Sequence, residues 1–308
     1  MKVLLTGGAG YLGTELAYQL ASRDDIAEVV IYDNLSRSNY NLFIGVRKFP
    51  LGKVRFIHGD LLDTRKLRQS LEGIDVVYHL AASVTKPFSD HNPHLLEQVN
   101  HWGTSELVYA VEESSVSRLI YTSSSAVYGT SSAMVNHQTP PHPTTYYGIS
   151  KLRGEEHVDR LREKMAAYTV RIANVYGYSK SMRFDARINR YMMEAASGQR
   201  ITVNGSGNQA RAYIHVEDAT RVLDGLLDAD LQPDIYDLVA RNLTIHDITE
   251  GVTQVFPDTE LLFINQHVEP WELQVDVDER LDTLPQHPGH DFLHEIEEFK
   301  KQFTIGFA

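Results

Sequence analysis

The sequence predicts an α/β protein: a doubly wound parallel sheet with a smaller C-terminal α/β lobe that binds substrate. Three observations predict it. Short, continuously apolar runs alternate with helical patterns up to Gly177, as strands do in a parallel sheet buried on both faces. A glycine-rich turn, "TGGAGYLG", separates the first such run from the first helical pattern. Small or acidic residues then stand at the ends of successive strands, where ligands of such sheets bind.

Each element follows from its local pattern. "KVLLTG" (residues 2–7) reads as the first buried strand, and "GTELAYQLASR" (13–23) as a helix with Leu16, Ala17 and Leu20 on one face. "EVVIYD" (28–33), "VRFIHGD" (54–60), "DVVYHLAA" (75–82) and "RLIYTSS" (118–124) read as strands two to five. "TRKLRQSL" (64–71) and "HLLEQVNHWGTSELVYAVEES" (94–114) are helices between them, and another begins near Tyr146 and passes His157. A sixth strand and its exit occupy "AAYTVRIANVYG" (166–177). Beyond it the alternation loosens into a helix at 188–198, a strand at 200–205 and strand-into-helix at 211–227. A strand at 234–239 and helices at 244–256 and 292–303 complete the chain. The expected division is a dinucleotide-binding domain over residues 1–173 and a substrate lobe over 174–308, with some segments returning to the first domain.

Composition narrows the function classes. A formal net charge of −12 disfavours nucleic acid and anionic membrane surfaces as partners. With no cysteine there is no disulfide, thiolate nucleophile or cysteine-ligated metal. The histidines of "HNPH" (His91, His94) and "HPGH" (His287, His290) sit in proline-marked loops without ligand spacing, so no metal site is expected. The opening "MKVLLTGG" turns to glycine too early for a signal peptide, which makes the cytoplasm the expected compartment.

Gly7, Gly10 and Gly13 recur every third residue at the end of the first strand, where they allow a tight turn, close approach of a pyrophosphate and close helix packing. Tyr11 and Leu12 lie within this loop. Asp33 ends the second strand, followed by Asn34, and a carboxylate there accepts from both ribose hydroxyls of NAD while repelling the extra phosphate of NADP. Arg37, four residues on, keeps NADP open. Asp60 and Leu61 follow the third strand, placed to meet adenine, and Leu80, Ala81 and Ala82 follow the fourth, where small side chains let backbone approach the cofactor. "YYGISK" puts Tyr147 and Lys151 on one helix face. A nearby ammonium lowers a phenol's pKa from about 10 toward use as a base, and a serine from "TSSSA" can hydrogen-bond the reacting oxygen.

These pieces, with "YDNLSRS", "HLAAS", "VNHWGT", "RIANVYG" and "GSGNQARAYIHVEDA", run in order from residue 6 to about 219. The chain thereby resembles the extended short-chain dehydrogenases/reductases, in their nucleotide-sugar epimerase/dehydratase branch. The resemblance implies a Rossmann domain holding NAD and a nucleotide-diphosphate sugar in the cleft. It implies Tyr147 as base, Lys151 as its partner and a nicotinamide-ribose ligand, Ser124 as the active-site hydroxyl, and Asn100 as support. It also implies Asn174, Arg183 and Arg211 on the substrate, the arginines toward phosphate, and a homodimer through the helices beginning near Asn92 and Tyr146.

The residues after Ser124 discriminate among reactions. Dehydratases of this branch carry Asp-Glu there and the decarboxylases a glutamate at the second position; here they are Ser125 and Ala126. Branches inverting C3 and C5 use a cysteine, and there is none. The expected activity is C4 epimerisation of a nucleotide-diphosphate hexose through a 4-keto sugar. A 4-ketoreductase, an atypical dehydratase, a reductase of a non-sugar carbonyl compound and a non-catalytic NAD(P)-sensing protein are the alternatives. The usual C-terminal Arg-Pro-Gly-Asp is not found, and Val84 with Lys86 two residues on replaces a lysine sometimes found after "HLAA".

Overall fold

The computed structural model describes residues 1–84, 92–264, 271–285 and 290–304; Lys86, His91 and His287 lie outside the described residues. In chain order the elements are β1 (Lys2–Thr6), α1 (Tyr11–Ala21), β2 (Glu28–Asp33), β3 (Val54–His58), α2 (Thr64–Ser70), β4 (Val76–His79), α3 (Pro93–Leu96), α4 (Gly103–Glu112), β5 (Arg118–Ser124), α5 (Tyr146–Asp159) and β6 (Ala166–Ile172). There follow β7 (Asn174–Tyr176), α6 (Arg187–Ala196), β8 (Ile201–Asn204), β9 (Ala210–His215), α7 (Val216–Gly225), β10 (Ile235–Leu238), β11 (Arg241–Thr244), α8 (Ile245–Val255), β12 (Leu261–Ile264) and α9 (Phe292–Lys300). No helix among the described residues is long and apolar enough to cross a membrane.

Seven parallel strands form the main sheet in the order β3-β2-β1-β4-β5-β6-β10. The order reverses between β1 and β4, the switch point at which a doubly wound sheet opens a crevice at its carboxyl end. The apolar runs are continuous because both faces are covered: Leu4 and Leu5 are fully buried, and their side chains enter the separate cores on opposite sides. The smaller lobe holds a three-stranded sheet, β11-β9-β7, and a β12-β8 pair, with α6, α8 and α9 packed around Ile188, Met192, Val203, Ile248 and Ile296.

The structure departs from the sequence reading at three places. The run read as one sixth strand breaks at Ala173, whose amide bonds Leu238 of β10, and residues 174–176 leave the main sheet to pair with β9. β11 and β12 go beyond the strands read from the sequence: β11 is held by pairing with β9, and the apolar run "LLFI" of β12 is largely exposed and held by pairing with β8. The long helix read over 94–114 is interrupted by a π-helical stretch, Glu97–Trp102. That extra residue per turn carries the buried Asn100, and such bulges collect at functional sites. After β9 the chain also returns to the first half. α7 lies against α1, with Tyr78 of β4 donating to the Leu223 carbonyl (2.9 Å), and β10 extends the main sheet beyond β6.

Candidate active site

A cleft of about 1080 Å³ runs along the carboxyl end of the main sheet and under the smaller lobe. Its wall contains Gly7, Gly10, Tyr11, Leu12 and Gly13 from the first turn, Asp33 and Asn34 after β2, Asp60 and Leu61 after β3, and Leu80, Ala81 and Ala82 after β4. Ser124, Tyr147 and Lys151 line its middle, and Asn174, Arg183 and Arg211 come from the other lobe. The sequence-predicted site residues are thus brought to one cavity. Asn100 lies behind it: its side chain accepts from the Ser83 amide (2.8 Å) and donates to the Ser83 carbonyl (2.9 Å) and Ser150 hydroxyl (3.0 Å), tying the β4 loop to α5.

The glycine turn is closed to side chains. Gly7 has φ +71°, and a Cβ there would meet the Ala81 backbone at 2.6 Å; one on Gly13 would lie 2.4 Å from the Gly7 carbonyl oxygen. Gly10 caps α1 without a side chain, so the first-turn amides have no side-chain acceptor and suit a pyrophosphate. The cradle therefore fits a dinucleotide. Gly7→Ala imposes left-handed backbone on a Cβ, about 1–2 kcal/mol, as well as the clash. We expect dinucleotide affinity to fall at least about tenfold, about 1.4 kcal/mol, measured as nucleotide released from the purified variant; undiminished loading would refute the cradle.

Asp33 is fixed by the amides of Ala9 (3.0 Å) and Leu35 (2.7 Å), and burial raises its carboxyl above the ordinary range. Asn34 donates to Asp60 (2.8 Å), whose other oxygen accepts from the Leu62 amide (3.0 Å), so these two strand ends hold each other. Arg37 pairs with Asp185 of the opposite lobe at 3.7 Å.

His79 ends β4 immediately before the "LAA" turn. It is fully buried between the hydroxyls of Thr6 (2.7 Å) and Thr104 (2.9 Å), and burial lowers its pKa to about 3. The neutral ring is the folded form, whereas the unfolded chain takes up its proton near 6.5. Its contribution is therefore complete above pH 6.5 and lost as pH falls toward 3, by about 1.4 kcal/mol per pH unit. Urea unfolding at pH 7 and pH 5 should show this loss, about 2 kcal/mol from this group, and His79→Gln should flatten the slope. An equal slope in the variant would exclude the ring as its source.

Tyr147 is the second residue of α5, whose N-cap Thr145 accepts from the Gly148 amide (3.0 Å). Burial raises the Tyr147 phenol, opposed by the charge of Arg183, the Ser124 hydroxyl and Arg37. Lys151, one turn on, is 2% exposed; burial lowers its pKa to about 7, Glu155 opposes this, and the ammonium sits 4.5 Å from the centre of the Tyr121 ring. Arg183 and Arg37 thus add positive charge beside the phenol, and Lys151 stands one turn along the same helix face. Ser124 ends β5 and its oxygen accepts from the Ala126 amide (3.2 Å), leaving its proton to donate.

Sequence reasoning missed two groups. Arg187 and Arg190 join Arg183 and Arg211 on the cleft wall, and the spacing in "RFDARINR", one helical face, was the signal. Arg183 pairs with Asp185 (3.2 Å) and Arg190 with Glu194 (3.5 Å), whereas the Nη1 of Arg187 and the Nε1 of Trp271 are buried without a hydrogen-bond partner among the described residues. Arg211 stacks on Trp271 (4.4 Å), and burial and Arg187 lower its pKa to about 9. Such buried, unneutralised donors fit the oxygens of a diphosphate. The second missed group, Glu155 and Arg171, lies behind Lys151. A charged residue within the apolar run of β6 was its signal.

The model of the NAD dependent epimerase/dehydratase family matches residues 3–238. The chain is 29% identical to the "Uncharacterized UDP-glucose epimerase YtcB" of Bacillus subtilis over 74% of its own length and 72% of that protein's. It is 27% identical to the human dTDP-D-glucose 4,6-dehydratase over 84% and 75%. Among solved structures, the UDP-glucuronic acid 4-epimerase from Bacillus cereus in complex with NAD superposes with a TM-score of 0.83 at 25% identity, covering 98% of this chain and 99% of that one. With its glycine cradle, strand-end carboxylates and Tyr147–Lys151 pair set in this fold, the chain belongs to the NAD dependent epimerase/dehydratase family.

Proposed function

We propose that this protein is an NAD-dependent epimerase that inverts C4 of a nucleotide-diphosphate hexose through a transient 4-keto sugar. One observation carries the choice of reaction. Among the described residues, the carboxylates on the cleft wall are Asp33, Asp60 and Asp185. The first two are strand-end groups held by backbone amides, and the third pairs with Arg183 and Arg37. After Ser124 come the buried Ser125 and Ala126. Elimination of water needs a free acid and base beside the sugar, whereas removing and returning hydride at one carbinol does not.

NAD supplies a reversible hydride acceptor. In this reading Tyr147 takes the proton of the 4-hydroxyl as that carbon is oxidised and returns it after the keto sugar has turned, and Lys151 stabilises the phenolate. Ser124 donates to the reacting oxygen. Arg187 and Arg211, whose cationic heads lack carboxylate partners, hold the diphosphate with Asn174, and Arg183 lies nearer Tyr147. Asp33 at the ribose position supports NAD over NADP. We also take the assembly to be a homodimer through the helical run that begins near Asn92 and through α5; the exposed Trp102, Tyr109 and Tyr146 support it, and sedimentation tests it.

The test incubates purified, NAD-loaded protein with UDP-, dTDP-, GDP- and CDP-hexoses, including UDP-glucuronate, and follows the sugar by NMR. A C4 epimer with no net change in NADH is expected. Stoichiometric NADH consumption on a 4-keto sugar would make it a ketoreductase, a 4-keto-6-deoxy product a dehydratase, and no conversion across the panel a binding protein.

A further inference from the structure

The face of α5 that carries Tyr147 and Lys151 continues to Glu155, one more turn along. Glu155 is 4% exposed, although carboxylates are seldom buried without partners. Its Oε1 accepts from the Ser123 hydroxyl (2.5 Å) and from Nε of Arg171 (3.0 Å), and its Oε2 accepts from Nη2 of Arg171 (2.7 Å). Arg171, 2% exposed, also donates from Nη1 to Tyr128 (2.9 Å), whose hydroxyl donates to Asp237 (2.8 Å). Ser123 and Ser124 both line the cleft, so the chain of contacts starts at the site wall and runs into the sheet.

Resting on the reading of Lys151 as the partner of Tyr147, we propose that Glu155 is a positioning residue: its carboxylate, fixed by Ser123 and Arg171, is the counter-charge that keeps Lys151 an ammonium in its buried place. The groups around Lys151 leave no other candidate among the described residues. On α5 there are Tyr147 and Glu155, β5 contributes Tyr121 and β4 the neutral His79, while Arg171 of β6 and Tyr128 lie beyond Glu155. Of these Glu155 alone carries negative charge, and the next carboxylate, Asp237, is engaged by Tyr128. A buried ammonium without a counter-charge loses its proton. Arg171 fixes where the carboxylate stands, and the pair is held to the strand that ends in the active-site serine.

Glu155→Gln alone leaves Arg171 buried and unpaired and is expected to fold poorly. The test is therefore the neutral double variant Glu155→Gln/Arg171→Met. Protein labelled with ¹³Cε-lysine, with the Lys151 signal assigned by Lys151→Met, is titrated by NMR alongside the pH profile of turnover. In the folded double variant the Lys151 titration, and with it the high-pH limb of turnover, should move down by about one pH unit or more. A Lys151 titration within a few tenths of a unit of wild type overturns the proposal. A shifted titration in a protein that turns over no sugar supports it and sinks only the functional reading.

Discussion

Tyr147→Phe should lower turnover by about 10²–10⁴-fold while NAD stays bound. The substitution removes one oxygen and keeps the ring at the start of α5, so the cleft and the glycine cradle are untouched. The remaining hydroxyl at the reacting centre, Ser124, already accepts from the Ala126 amide, and an aliphatic hydroxyl is a far weaker acid than a phenol. The measurement is kcat on the epimerised sugar, with bound nucleotide quantified in parallel. More than a tenth of wild-type activity would exclude the phenol as base. Because burial holds the phenol above its ordinary value and lowers Lys151 to about 7, wild-type turnover should rise with pH toward neutrality, the base being the deprotonated form, and fall as Lys151 loses its proton.

Arg171→Leu should destabilise the fold by about 3–5 kcal/mol, the cost of leaving one charge of a buried pair unpaired. Both partners are 5% exposed or less at the side chain, so solvent does not screen the loss. The same change orphans the Tyr128 contact, and Asp237, which burial already raises to about 6, loses the nearby positive charge. The shift in the urea midpoint measures it. The neutral double variant should recover most of the loss, since replacing a whole buried pair by uncharged groups costs little. A single-variant loss under about 1 kcal/mol would show that the pair is solvated in solution.

The main sheet was legible because its strands are buried on both faces and each apolar run is bounded by a turn. The site residues on it were legible for a related reason: a strand end is a fixed place, so Gly7, Asp33, Asp60 and Ala81 could be located by counting. β7 was not legible as a separate strand, because "RIANVYG" has no turn residue at Ala173 and only the pairing partner changes there. β11, "RNLT", owes its existence to pairing with β9, which a single run of residues does not record, whereas the apolar run of β12 was a local signal left unread. Glu155 and Arg171 escaped notice as parts of the site because their meaning is mutual. One lies on a helix and the other on a strand, 16 residues apart, and neither has an evident purpose until the fold closes the pair.

The return of the chain to its first sheet bears on how the molecule can come apart. β10 covers the free flank of β6, and α7 covers α1. A fragment ending near Ala173 would keep the glycine cradle, Tyr147 and Lys151 yet present β6 as a bare, apolar edge with a row of unpaired amides, the form of surface that templates strand addition between copies. Folding of the first half therefore waits on a segment more than sixty residues downstream, and a ribosome-bound chain would carry that sticky edge until the segment emerged. Part of the smaller lobe, β7, α6, β8 and β9, is in this sense an insertion between the sixth and seventh strands of the sheet, and the rest of that lobe follows the seventh.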